Sequence, residues 1–311
     1  MNRQIRATGA LLILIMPIST LMLVGCGSDG RPVVVGPGAG VVEVRVPEGA
    51  SISRVGHLLE EKKIIRSAGY FKKVATGTIL PGIYAFSPSD TPEAIYQKLN
   101  RGEVSSTRVT IPEGFTIKKI AARLKEKGVL ADESEFLQLT EGLEGKLFPD
   151  TYAFAKNVTA KEIVSQLGGQ FQKQTKALTL TREALIVASL IEREAETDED
   201  RPKIAGVIYN RLKKNMRLQI DATVQYALPE HKARLLFADL KINSPYNTYL
   251  HAGLPPGPIC SPGLPSLKAA LAPETSDYLF YVQGEAKGHV FAKTFAEHRA
   301  NIARVRRSAR P

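Results

Sequence analysis

Cysteine is nearly absent from the 311 residues, with Cys26 and Cys260 the only two. Two cannot build a disulfide framework, and neither has the Cys-x-x-Cys neighbour that a zinc site uses. The five histidines (57, 231, 251, 289 and 298) show no His-Glu-x-x-His spacing, so a zinc hydrolase of that kind is excluded. No Gly-x-Ser-x-Gly elbow occurs, which argues against a serine hydrolase. The run Gly36-Pro37-Gly38-Ala39-Gly40 is rich in glycine, but no Lys-Ser/Thr follows it and no helical pattern begins there, so it is not read as a phosphate loop. Only one long uncharged apolar stretch exists, which excludes a multi-span membrane protein. Acidic residues are outnumbered, 31 against 42 Lys and Arg, and the formal net charge of +11 favours an anionic partner.

That single apolar stretch lies at the amino terminus. Arg3 and Arg6 form a short positive region, and no charge follows from Ala7 to Ser28. This is the pattern of an export signal or a membrane anchor with its basic end in the cytoplasm. Two forms stay open over residues 1–26. Leu23-Val24-Gly25-Cys26 resembles a bacterial lipobox, which makes Cys26 a lipidation site. An uncleaved helix also fits, since about 20 apolar residues span a bilayer. Either form exports the remainder, which removes nucleic acid as the partner of the positive charge. Residues 27–40, rich in Gly, Ser, Pro and Val, read as a flexible linker. Cys260 is then left as a buried small residue.

Residues 41–172 contain an internal duplication. Val44-Arg45-Val46-Pro47-Glu48-Gly49-Ala50-Ser51-Ile52 recurs as Val109-Thr110-Ile111-Pro112-Glu113-Gly114-Phe115-Thr116-Ile117. In each, an alternating strand ends at Pro-Glu-Gly, and Ser or Thr then caps a helix with apolar periodicity. Tyr84-Ala85-Phe86 and Thr91 return as Tyr152-Ala153-Phe154 and Thr159. Each copy therefore reads strand, helix, strand, helix. Two copies are too few for a solenoid. Alternation puts the Tyr and Phe of each triplet on one side of the strand, where they form either a core or a sugar-binding face.

Residues 173–311 form the second domain and carry the candidate chemistry; the whole chain is thus α+β, a duplicated strand-helix module followed by a mixed α/β domain with a basic tail. Thr181 caps a helix whose stretch Ala184–Ile191 is apolar on every face, as in a helix buried all round. Glu192-Arg193-Glu194 follows directly. Acids there must be exposed, paired, or kept protonated by desolvation. The two glutamates lie about 200° apart around a helix, so at most one faces a given cleft, and periodicity does not choose between them. The bland alternative is a solvated turn running on through Glu196, Asp198, Glu199 and Asp200. Further along, Gln219, Asp221, Thr223, Asn247 and Thr248 supply neutral and acidic hydrogen-bonding groups, while Tyr209, Tyr226, Tyr246 and Tyr249 supply flat apolar faces. That mixture suits a sugar. The proline-rich loop Gly253–Gly263 cannot be regular structure and reads as a cleft wall. Tyr278–Val282 and His289–Ala292 flank a glycine turn as a hairpin, and Thr294-x-x-Glu297 opens the last helix as a capping box.

The stretch from Leu185 to Ile302 resembles the YceG-like (MltG) endolytic murein transglycosylases. The resemblance rests on Ser189-Leu190-Ile191-Glu192-Arg193-Glu194, Arg201-Pro202-Lys203-Ile204-Ala205, Asn210-Arg211-Leu212, Met216-Arg217-Leu218-Gln219, Tyr246-Asn247-Thr248-Tyr249, Gly253-Leu254-Pro255-Pro256-Gly257 and Gly288-His289-x-Phe291, all in family order. Ala195 and Ala222 depart from the Thr and Pro usual at those places. The duplicated module resembles the family's LysM-like region. The resemblance implies an enzyme of the inner membrane, facing the periplasm, that cuts peptidoglycan glycan strands between MurNAc and GlcNAc and leaves 1,6-anhydroMurNAc ends. It implies Glu194 as the catalytic acid, and beside it Glu192 is expected to be a supporting residue that orients Arg193 or substrate. Gln219, Asp221, Thr223, Tyr246, Asn247, Thr248 and His289 become the candidate substrate-binding set. It further implies termination of nascent strands, association with peptidoglycan synthases, and no cofactor or metal. A non-catalytic peptidoglycan-binding scaffold is the alternative.

Overall fold

The computed structural model describes residues 40–87 and 89–308, so the anchor segment with Cys26 lies outside the described residues. The two repeat copies have the same order of elements. The first runs β1 (Val42–Val46), α1 (Ile52–Glu61), α2 (Ala68–Val74), β2 (Gly82–Phe86) and α3 (Pro92–Arg101). The second runs β3 (Ser106–Thr110), α4 (Ile117–Glu126), α5 (Ser134–Leu139), β4 (Thr151–Ala155) and α6 (Ala160–Thr175). Each copy thus holds one short helix more than its sequence pattern announces. At seven and six residues, α2 and α5 are too short for apolar periodicity to reveal them.

Local chemistry accounts for the elements. Ser51 and Thr116, each two residues past a Pro-Glu-Gly, accept hydrogen bonds from the amides of Arg54 and Lys119 and so cap α1 and α4. Thr91 caps α3, and Thr159 with Glu162 forms a full capping box on α6. Gly49 and Gly114 have φ of +68° and +75°, the left-handed region that glycine enters without penalty, so both copies need the glycine of the motif. The strands pair as three two-stranded sheets: β1 with β2, β3 with β4, and β5 (Phe280–Gln283) with β6 (His289–Ala292). The β3–β4 register sets Val109 opposite Tyr152 and Thr110 opposite Thr151.

Tyr84, Phe86, Tyr152 and Phe154 are all buried. Their faces are core and are not available to a sugar. Phe154 and Tyr152 join Val109, Ile120, Leu124 and Leu167 in the centre of the second copy.

The chain divides into two compact units, one of residues up to 102 apart from 82–84, the other of residues 82–84 and 103 onward. The second copy and the C-terminal domain therefore belong to one unit. They are joined by backbone hydrogen bonds, from the amide of Gly114 to Ser261 O (2.9 Å) and from that of Ser261 to Phe115 O (2.8 Å). In the C-terminal domain α7 (Arg182–Glu194) runs through the middle, with α8 (Asp200–Lys213), α9 (Asp221–Ala227) and α10 (Leu264–Leu271) around it and α11 (Phe295–Ser308) closing the chain. Every residue of α7 from Ala184 to Ile191 is buried, against Ile204, Ile208, Leu218, Ile259 and Leu267 among others. Ser189, the one hydroxyl in that stretch, donates to Ile186 O and accepts from the amide of Ile259, which ties the proline loop to the helix. Cys260 is buried beside it, and burial pushes its thiol up and out of reactive range.

Candidate active site

The last turn of α7 separates its two glutamates as the helical angle requires. Glu192 turns inward to the starts of two other helices. Its Oε2 accepts from the amide of Gly263, just before α10, at 2.9 Å and from Arg201 of α8 at 3.4 Å. Arg201 also donates to Asp198 at 2.9 Å and to Ser266. Only 6% of the Glu192 side chain is exposed, so its charge is spent inside this cluster. The residue it orients is Arg201, whereas Arg193 stands exposed.

Glu194 faces a cavity of about 330 Å³. Tyr281 of β5 donates its phenolic proton to Glu194 Oε2 at 2.9 Å. Burial raises the Glu194 pKa above the usual carboxylate range; the Tyr281 hydrogen bond opposes this, and the neighbouring Asp221 carboxylate reinforces it. The cavity is completed by Gln219 and Asp221, by Arg211 and Tyr249, and by Phe280, Phe295 and His298.

Each wall has a cause. Gln219 has φ of +51°, a strained conformation for a residue with a side chain, and its amide donates to Thr248 O. Asp221 accepts a 2.5 Å hydrogen bond from Tyr249. Arg211 donates to the carbonyls of Leu279 (2.7 Å) and Leu218 (2.5 Å), and its guanidinium lies over the Phe280 ring, so it clamps β5 beside the Gln219 turn. Phe295 is 61% exposed at the start of α11, an unusual position for a large apolar ring. His298 stacks on Phe280 at 5.3 Å, and its Nδ1 has no hydrogen-bond partner within the protein.

Of the residues singled out in the sequence, Glu194, Gln219, Asp221 and Tyr249 meet at this cavity. Thr223, Asn247 and Thr248 are buried and bonded internally. Thr223 and Thr248 join hydroxyls at 2.9 Å, Thr248 accepts from the amide of Ile220, and the Asn247 amide holds the carbonyls of Leu240 and Ile242. They shape the turn that carries Gln219 and Asp221. His289 is buried and pairs with Asp200 at 2.9 Å, its ring set edge-on to Tyr281. Tyr246 packs against Tyr226 with the rings tilted by 49° and lines two other hollows, one shared with Pro256 and Pro258 of the proline loop. The acidic segment after α7 is not a solvated turn throughout. Glu196 holds the hairpin through Gln283 and the amide of Gly288, and Asp200 holds it through His289.

Arg211, Phe280, Tyr281, Phe295 and His298 were not legible as site residues. Tyr281 lies opposite Phe291 in the hairpin, so the Gly288-His289-x-Phe291 motif was the available pointer to it.

The chain is similar to known proteins. The profile of the YceG-like family matches residues 44–304. The endolytic murein transglycosylase of Bacillus subtilis (strain 168) is 36% identical over 298 residues, covering 83% of this chain and 82% of that protein. A protein of the same name from Streptococcus pneumoniae (serotype 2, strain D39) is 28% identical over 319 residues, covering 84% of this chain and 58% of its own length. The crystal structure of a YceG-like protein from Listeria monocytogenes matches with a TM-score of 0.55 at 34% identity, over 84% of this chain and 99% of that one. A family match running from the first strand into the last helix, with a solved relative of the same fold, places the chain: it belongs to the YceG-like family.

Proposed function

We propose that this protein is an endolytic lytic transglycosylase of peptidoglycan with Glu194 as its single acid and base. One observation carries this: a desolvated carboxyl, raised in pKa and held by Tyr281, opens onto a cavity edged by Phe280, the exposed Phe295 and polar groups suited to sugar hydroxyls. The relatives named endolytic murein transglycosylases support the reaction class and disfavour an inert scaffold.

A glycosidase that uses water needs two working carboxyl groups, whereas a lyase that closes an anhydro ring needs one. Protonated Glu194 gives its proton to the oxygen leaving muramic acid C1. The C6 hydroxyl of the same sugar attacks C1, and its proton passes to the Glu194 carboxylate, which restores the acid. No water is consumed. The tethered hydroxyl acts at high effective concentration. Burial, reinforced by the neighbouring Asp221 carboxylate, favours the protonated form of Glu194 before the reaction, and Asp221 faces the positive charge that develops on the sugar ring. Gln219 offers hydrogen-bonding groups to the sugar, and Phe295 offers a stacking face.

Glu194→Gln keeps the shape and removes the proton, so turnover should fall by about 10²–10⁴-fold. Mass spectrometry of digested sacculi reads the result. Anhydro ends made by the wild type and lost in the variant are expected. Reducing ends from the wild type would instead indicate hydrolysis through Asp221, and anhydro ends persisting in the variant would remove Glu194 from its role.

The remaining expectations belong with this proposal. The amino-terminal segment, by helix or by lipidated Cys26, would anchor the enzyme in the inner membrane with its bulk outside the cytoplasm. Strand termination and association with synthases would follow from that position. A LysM-like role for the repeats would use surface groups, since their conspicuous aromatic side chains are core.

A further inference from the structure

A second cleft, about 630 Å³ and larger than the Glu194 cavity, opens one residue away from it along two helices. Arg193 lines it where Glu194 lines the first, and Ala222 lines it where Asp221 lines the first. Its far side comes from the second repeat copy, through Gly114, Thr116 and the start of α4. Three cations edge it: Lys118, Lys119 and Arg193. All three are exposed, and none has a carboxylate within ion-pair distance among the described residues. Tyr226 and Tyr246, 4.8 Å apart, supply its apolar floor.

Acid in the cleft does not cancel those charges. Glu144 is engaged by the amide of Ile117 (3.2 Å) and the hydroxyl of Tyr226 (3.3 Å), and burial raises its pKa to about 7, so it is largely uncharged below neutrality. Glu141, the other acid in the lining, makes no ion pair among the described residues and is outnumbered by the three cations.

A glycan backbone of N-acetylated sugars is neutral, and three unpaired cations have nothing to recognise on it. Muramic acid is different, because its lactyl group carries a short peptide with free carboxylates. We infer that this cleft receives the acidic peptide stem of the muramic acid whose C1 lies at Glu194, with Lys118, Lys119 and Arg193 facing the stem carboxylates and the tyrosine pair under its apolar side chains. This deepens the proposed function and rests on it for the position of the sugar. It makes the enzyme selective for strands that still bear their peptides.

Binding tests the inference without needing turnover. Glu194→Gln protein is titrated with soluble uncrosslinked glycan strands carrying intact stems, and with the same strands stripped by an amidase, which leaves one lactyl carboxylate per muramic acid. Stem-bearing strands should bind about tenfold more tightly at low salt, the sum of a few exposed charge pairs, and the margin should shrink at high salt. Adding Lys118→Ser and Lys119→Ser, which are surface changes that leave the Thr116 cap intact, should reduce the preference to about twofold or less. Equal affinity for both strands, or a preference that survives the two serines, would overturn the inference. If the preference holds while wild-type protein releases no anhydro ends, the stem site stands and the catalytic reading falls.

Discussion

In the proposed mechanism, the contact between Tyr281 and Glu194 is the one on which the chemistry turns. The phenol donates to Oε2 and so stabilises the carboxylate, against the desolvation that favours the acid. Tyr281→Phe removes the largest influence opposing desolvation, and the Glu194 pKa should rise further. The proposed reaction starts from protonated Glu194, so the alkaline limb of kcat/KM should move to higher pH by about one unit, the size of one hydrogen bond to a charged group. A profile in the same place would show that the phenol does not set the proton affinity. Glu144 offers an independent titration. Its pKa of about 7 in the folded chain exceeds the ordinary value of 4.5, so the native state binds the extra proton between those pH values. Its contribution therefore favours the folded state below about pH 4.5, is lost as pH rises toward 7, and stays lost above. Glu144→Gln, always neutral, should be more stable than wild type by about 3 kcal/mol at pH 8 and by less than about 1 kcal/mol at pH 5, as read by urea unfolding. Neither tyrosine–carboxylate pair could be foreseen locally, because 87 positions separate Tyr281 from Glu194 and 82 separate Tyr226 from Glu144.

At the scale of elements, the end of α7 is a junction. Glu192 gathers Arg201 near the start of α8 and the Gly263 amide at the start of α10, where a carboxylate also meets the positive end of the helix. Glu113, from the Pro-Glu-Gly turn of the second copy, lies against Gly263, in the space a side chain there would fill. Its pKa is raised by burial and by Glu192. Glu192→Ala would leave Arg201 short of its buried partner and open the start of α10, for a loss of about 3 kcal/mol in urea denaturation. Any loss of turnover should follow that unfolding, with no shift in the pH profile. The hairpin depends similarly on Glu196 and Asp200. Acidic residues that read as a solvated run are thus the fastenings that hold Tyr281 against Glu194.

Across the whole molecule, the positive charge is the property that reaches furthest. With a net charge of +11, binding to anionic wall material should weaken several-fold as salt rises from 0.05 to 0.3 M, since exposed charges are screened beyond about 8 Å at physiological ionic strength. Sedimentation with purified sacculi would measure it, and salt-independent binding would assign the affinity to the neutral glycan alone. The second repeat copy lies in one compact unit with the elements that carry Glu194. Its Pro-Glu-Gly turn meets Ser261 and Gly263.

Caps, turn glycines and apolar periodicity are written in neighbouring residues, so the repeat, the buried α7, the hairpin and its capping box were determined by sequence alone. The same periodicity left Glu192 and Glu194 equivalent, because each shares a stripe with apolar residues of the helix. Only tertiary packing told them apart: one meets Arg201 and the Gly263 amide, the other meets Tyr281 and a cavity. It also withdrew Thr223, Asn247, Thr248 and His289 into internal hydrogen bonds and brought Phe295 and His298 to the cavity from the far end of the chain. Which polar group faces a ligand and which serves the scaffold depends on what stands opposite it in space, and no local pattern encodes that.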